Sequence, residues 1–117
     1  MKNIEHNLQS ACVKWFRLQY PKLAMNLFAI PNGAKRDPRS GKWYKAEGMT
    51  AGVPDCLLLS PDLKGEYHGV GIEFKSEKGK QTDAQKNIEL AMLDKNYAYW
   101  IIRSFEQFKY AIENYLN

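Results

Sequence analysis

The chain has 117 residues, which suffices for one domain over 1–117 and is too short for two. Its 44% hydrophobic content suits an ordinary globule, and no run approaches the roughly 18 apolar residues of a membrane-spanning helix. The net charge of +4 favours a polyanionic partner, and the opening Met-Lys-Asn-Ile-Glu-His lacks a signal peptide's apolar stretch, so a cytoplasmic protein with no membrane partner is expected.

Ile4, Leu8, Ala11, Cys12, Trp15 and Leu18 recur near helical spacing, which predicts a helix from Ile4 to about Tyr20, with Asn3 as its N-cap and Pro21 as its stop. A short strand follows over Leu27 to Ile30, then the turn signal Pro31-Asn32-Gly33. Between Gly33 and Gly48 the charge is concentrated: Lys35, Arg36, Arg39, Lys42 and Lys45 face only Asp37 and Glu47, with Trp43 and Tyr44 among them. This segment, with a helical turn or two around Trp43, reads as a surface for a nucleic-acid backbone. The alternative is that Trp43 and Tyr44 pack into the core while the charges face water.

Gly52-Val-Pro-Asp55 leads into the apolar run Cys56 to Leu59, a buried strand. Cys12 and Cys56 lie in separate apolar segments and read as reduced core residues, and no Cys–His spacing suits zinc. Val70 to Lys75 alternates, which predicts a strand with Ile72 and Phe74 on one face and Glu73 and Lys75 on the other. About ten polar, turn-rich residues join these two strands, too few for a parallel crossover, so the pair is predicted antiparallel. That pairing sets the start of one strand beside the end of the next and brings Asp55 to Glu73 and Lys75.

Thr82 and Gln85 have the form of a capping box before a helix carrying Ala84, Ile88, Ala91 and Met92, which Asn96 closes. Tyr97 to Arg103 reads as a strand parallel to its predecessor, and Ser104 with Gln107 as a second capping box before a last helix. The order is αβ(β)βαβα: an α/β fold with a mixed central sheet flanked by helices.

Asp55, Glu73 and Lys75 carry the chemistry. A lone Glu-x-Lys is usually a solvated strand face, but here two carboxylates and an ammonium converge at one sheet edge. Paired carboxylates repel unless a proton or a cation intervenes, and magnesium, bound by one or two carboxylates with water and phosphate oxygens, fits such a pair. Lys75 beside the ion can orient water or offset charge on a phosphoryl group. The chain has no phosphate-binding glycine loop, no Gly-x-Ser-x-Gly and no His-Glu-x-x-His. His6 and His68 are isolated and read as surface or packing residues.

Pro54-Asp55 followed by Glu73-Phe74-Lys75 resembles the signature of the restriction-endonuclease-like superfamily, Pro-Asp then Asp or Glu, any residue, Lys. More narrowly, Gly52 to Leu59, Ile72 to Lys75 and the downstream Gln85 resemble the VRR-NUC family across essentially the whole chain. The resemblance implies a restriction-endonuclease-like fold and a magnesium-dependent DNA endonuclease, with manganese able to substitute, in a bacterial cell or a virus-infected host. It implies that Asp55, Glu73 and the backbone carbonyl of Phe74 hold metal with help from Glu5, and that Lys75 and Gln85 act on water. It also implies hydrolysis to a 5′-phosphate and a 3′-hydroxyl. Stand-alone members are expected to dimerise and act on branched DNA such as four-way junctions. Asn32, in Ile-Pro-Asn-Gly, resembles a polar residue near the site; for it the alternative is an Asn-Gly turn, for Glu5 a carboxylate favoured in a helix's first turn, and for Gln85 the capping box. The competing function is a non-catalytic nucleic-acid-binding module that keeps the nuclease fold.

Overall fold

Asp55 and Glu73, the two carboxylates that the sequence pairs, stand at one end of a β-ladder that is antiparallel, as the short connection predicts. A computed structural model describes residues 3–31 and 38–117. Among them the elements run α1 (Ile4–Gln19), a 3-10 helix (Pro21–Asn26), β1 (Leu27–Ala29), α2 (Pro38–Ala46), β2 (Cys56–Leu58), β3 (Val70–Phe74), α3 (Asp83–Asp94), β4 (Ala98–Ile102) and α4 (Phe105–Leu116). The strands lie in spatial order β1-β2-β3-β4. β1 and β2 are antiparallel, β2 and β3 are antiparallel with Cys56 opposite Ile72, and β3 and β4 are parallel with Gly71 beside Tyr99. The sheet is therefore mixed, and α3 supplies the crossover that a parallel pair requires.

One sheet face packs on α1 and α4. Cys12 and Phe16 of α1 and Phe108, Ile112 and Tyr115 of α4 form a single cluster with Cys56, Leu58, Val70, Ile72, Phe74, Ala98 and Ile102. Both cysteines are free thiols inside it, and burial pushes each up to about 12, so both stay protonated. The opposite face lies under α3, where the absence of a side chain at Gly71 admits Met92 and Pro54: a Cβ there would stand 2.8 Å from Met92 Sδ and 3.0 Å from Pro54 Cγ. Glycine at this position is a packing requirement.

Several local expectations shift. The α1 stripe is centred on Leu8, Cys12 and Phe16, while Ile4 and Leu18 are exposed. Asn3 makes no side-chain cap; its carbonyl accepts from Asn7 N–H at 2.8 Å. The turn after Pro21 winds into a 3-10 helix that periodicity did not mark. Asn96 sits at φ 64°, the left-handed position expected after a helix end. The second capping box is half formed. Ser104 accepts from Gln107 N–H at 3.1 Å, but Gln107 Oε1 turns to Arg103 N–H at 2.7 Å.

Candidate active site

Asp55 enters from a loop held tightly against α3. Gly52 has φ 90°, and a Cβ on it would collide with the carbonyl carbon and oxygen of Ala84, so only glycine lets this backbone abut the first turn of α3. Buried Pro54 follows, and the Asp55 carbonyl accepts from Ile30 N–H at 2.8 Å, extending the β1–β2 ladder by one bond. The Asp55 side chain reaches across to β3, where Oδ2 accepts a 2.7 Å hydrogen bond from Phe74 N–H. Burial raises the Asp55 carboxyl above its ordinary value; the Phe74 N–H opposes this, Glu73 and Glu5 add to it, and Lys75 opposes it. These couplings place Asp55, Glu73, Glu5 and Lys75 in one electrostatic neighbourhood.

Glu73 departs most from expectation. The sequence suggests a charge at a sheet edge, yet β3 is an interior strand and Glu73 is 1% exposed. The convergence is at the end of the two central strands, not at an edge. Glu73 Oε1 accepts from the Tyr99 hydroxyl at 2.5 Å and from Gln81 Nε2 at 3.4 Å. Glu73 Oε2 is buried with no hydrogen-bond partner, and Lys75 Nζ lies 3.8 Å from it, slightly beyond hydrogen-bond reach. Burial and the Glu73 carboxylate hold the Tyr99 hydroxyl well above its usual range, so it remains a donor.

Glu5 arrives from the other layer. It lies in the first turn of α1, and its Oε2 accepts from Ser76 N–H at 3.0 Å, just past the end of β3. A Cβ on Gly79 would lie 3.4 Å from Glu5 Oε2 and 3.5 Å from Lys75 Cδ, so this loop packs between the two side chains. Arg103 Nη1 braces the same loop, donating to the carbonyls of Ser76, Glu77 and Gly79 at 2.8, 3.3 and 2.6 Å.

The geometry treats the two glutamines differently. Gln85 forms both bonds of the capping box: its Oε1 accepts from Thr82 N–H at 2.8 Å and its N–H donates to Thr82 Oγ1 at 3.1 Å. The glutamine that touches the acidic group is Gln81, donating to both Glu73 and Glu89. Sequence reasoning missed Gln81, Tyr99 and Arg103. Gln81 precedes a helix cap with no periodicity to mark it, and Tyr99 reads as one more aromatic strand residue.

In the basic segment, Lys35 and Arg36, together with Asn32, lie outside the described residues, and Arg39 lies in α2. Lys42 and Lys45 are exposed on α2, and Trp43 is 68% exposed, so the alternative in which Trp43 packs into the core does not hold. Tyr44 is half-buried. His6 is exposed, and exposed His68 makes an edge contact with Tyr97.

A divalent cation suits these residues. Among the described residues no three His, Cys, Asp or Glu side chains stand together as a closed metal cluster. Magnesium asks for less, because it keeps several waters and takes one or two protein carboxylates. The buried Oε2 of Glu73, which accepts no hydrogen bond and has the Lys75 ammonium at 3.8 Å, is the specific sign of fit, since a buried polar oxygen without a hydrogen-bond donor is costly. All the donors are hard oxygens, which select hard cations.

These features define an α/β protein with an acidic site and one lysine at the end of a mixed sheet. No protein-family model matches the chain, and no curated protein matches it. A solved structure described as a VRR_NUC domain protein has the same fold: the TM-score is 0.82 at 23% sequence identity, over 98% of this chain and 89% of that one.

Proposed function

We propose that this chain is a metal-dependent nuclease that hydrolyses phosphodiester bonds in DNA. The observation that carries the reading is the buried Glu73 carboxylate, with one oxygen anchored and the other without a hydrogen bond, flanked by Asp55, Glu5 and Lys75. The shared fold with a VRR_NUC domain protein supports it.

In this reading Asp55 and Glu73 Oε2 hold the ion, with Glu5 and the Phe74 carbonyl assisting. Magnesium, or manganese in its place, supplies positive charge at the phosphoryl oxygen and acidifies water. Lys75 Nζ, next to Glu73 Oε2, positions the attacking water or offsets charge that builds on the non-bridging oxygens. Phe74 N–H fixes the Asp55 carboxylate, and Ser76 N–H fixes Glu5. Gln85 caps α3 and so holds the helix against which the Asp55 loop rests; an action on Lys75 or water is the further role proposed for it. The products are a 5′-phosphate and a 3′-hydroxyl. The basic segment from Lys35 to Lys45, with Lys42 and Lys45 exposed, holds the phosphate backbone, a contact that positions DNA without specifying its sequence.

We further propose a symmetric homodimer that prefers branched DNA. A groove of about 1020 Å³ runs along edge strand β4 and α4, with Leu63, Tyr67, Trp100 and Tyr110 on its walls, and contains none of Glu5, Asp55, Glu73 or Lys75. Tyr110 in it is 71% exposed, and aromatics of this kind are enriched at interface cores.

The test is a cleavage panel of linear duplex, flap, splayed arm and four-way junction, with magnesium and with excess EDTA. Cleavage that needs magnesium supports the reading. Robust cleavage in EDTA overturns the metal requirement, and tight DNA binding without turnover in any metal assigns the chain to the non-catalytic module.

A further inference from the structure

The two oxygens of Glu73 have unlike surroundings. Oε1 is held by the Tyr99 hydroxyl at 2.5 Å and by Gln81 Nε2 at 3.4 Å, while Oε2 accepts nothing. A glutamate's terminal torsion is broad and roughly two-fold, so a carboxylate with no anchor samples many planes. A hydroxyl-to-carboxylate bond of this length is charge-assisted and among the stronger ones available. Tyr99 itself is buried on β4, in register with Gly71, so its ring is fixed by the sheet. Gln81 is fixed from the far side as well, because Nε2 also donates to Glu89 Oε1 on α3 at 3.0 Å. Reversing that amide would set its carbonyl oxygen against two carboxylates, so the orientation is determined by charge.

We infer that Tyr99 and Gln81 are positioning residues: they clamp Glu73 Oε1 so that Oε2 is the one oxygen presented to a divalent cation. The inference rests on the metal-dependent reading proposed above. It extends the site to a line of hydrogen bonds running from Glu89 on α3 through the Gln81 loop to Glu73, with Tyr99 closing it from β4. Partners that orient a metal-binding carboxylate in this way contribute about 10–100-fold to metal affinity or activity.

The experiment titrates manganese into the free protein, following unbound ion by electron paramagnetic resonance, and measures cleavage as a function of magnesium. Tyr99→Phe should raise the manganese dissociation constant by about 10–100-fold and move half-maximal magnesium activation by a similar factor. Its rate at saturating magnesium should fall much less. Gln81→Ala should shift both constants in the same direction by a smaller factor, since its bond to Glu73 is the longer one. A purely structural role would lower the folded fraction and leave the metal constants of the folded protein unchanged, and that result overturns the inference. Should Tyr99→Phe fail to fold by circular dichroism, the half-buried Gln81 carries the test, and an unchanged affinity in Gln81→Ala overturns it equally. Failure of the wild-type protein to bind manganese and to cleave would remove the nuclease reading itself, and this inference with it. Binding by the wild type with both variants unaltered removes only the inference.

Discussion

Asp55 Oδ2 and the backbone N–H of Phe74 share a 2.7 Å hydrogen bond across two antiparallel strands. Continuing the Cys56–Ile72 register by one residue sets Asp55 opposite Glu73, so both side chains project from the same sheet face. Asp55→Asn and Glu73→Gln keep these shapes and remove the charges. Each should lower the single-turnover cleavage rate by about 10²–10⁴-fold, the equivalent of several kcal/mol of lost metal-assisted stabilisation. Alanine at Glu73 is a poorer probe than an edge charge would allow: it leaves the Tyr99 hydroxyl buried without its acceptor and should cost about 1–3 kcal/mol of stability. Single-turnover kinetics and thermal unfolding of all three variants check this.

Burial raises the Asp55 carboxyl above its ordinary 3.8, so the folded protein binds that proton more tightly than the unfolded chain. Stability from this group is therefore greatest at low pH and is lost as pH rises from about the ordinary value through the raised one. In metal-free buffer, Asp55→Asn should lose less stability than the wild type over this window. The expected observation is a wild-type-minus-variant difference in unfolding free energy that falls with rising pH and levels off. Manganese should stabilise the wild type more at pH 7 than at pH 4, because only the ionised carboxylate binds it. A difference that rises with pH would mean that Asp55 is stabilised in its charged form.

Lys75→Met retains most of the side-chain stem and removes the ammonium. If carboxylates hold the ion as proposed, the chemical step should slow by about 10²–10⁴-fold, the range of a positioned charge or proton-transfer group. DNA affinity measured in calcium should change far less. A large loss of affinity with an unchanged single-turnover rate would make Lys75 a phosphate-binding group.

Neutralising Lys35, Arg36 and Arg39, or separately Lys42 and Lys45, should weaken binding to all sequences alike. For every phosphate that the protein no longer neutralises, the slope of log affinity against log salt should flatten by about 0.9 on duplex DNA. An unaltered slope would place those side chains away from the backbone.

A two-fold dimer would supply two sites and permit paired cuts across a junction through one self-complementary interface. Sedimentation at micromolar concentration should report a dimer, and Tyr110→Glu should shift it towards monomer if the β4–α4 groove forms the interface. Such a monomer should still nick linear duplex while losing paired junction cleavage. A wild-type monomer that cuts both substrates alike would remove the dimer and leave the nuclease.

The elements were legible because their signals are local. The eleven-residue connection between β2 and β3 is too short for a crossover, and Thr82 with Gln85 announced α3. The approach of Asp55 to Glu73 followed from strand direction alone. What stayed hidden depends on neighbours distant in sequence. The sequence sets β4 parallel to β3, but nothing in it says that Glu73 will be buried there or that a tyrosine from β4 will meet its Oε1. Gln85 and Gln81 illustrate the same limit, since a cap is written in its own four residues whereas the hydrogen bond from Gln81 depends on where a loop comes to rest.

The bond between Glu5 and Ser76 N–H joins residues 71 apart in sequence, whereas Asp55 and Phe74 are 19 apart. Closing the longer loop costs more entropy, and helix ends open more readily than central strands. The acidic centre therefore has one part held at the β2–β3 ladder and another supplied by the first turn of α1. Unwinding of that turn would withdraw one carboxylate and leave the ladder intact, and exchange of the Ser76 amide hydrogen would record it. In the metal-dependent reading proposed above, the grip on an ion would then depend on that helix end staying wound.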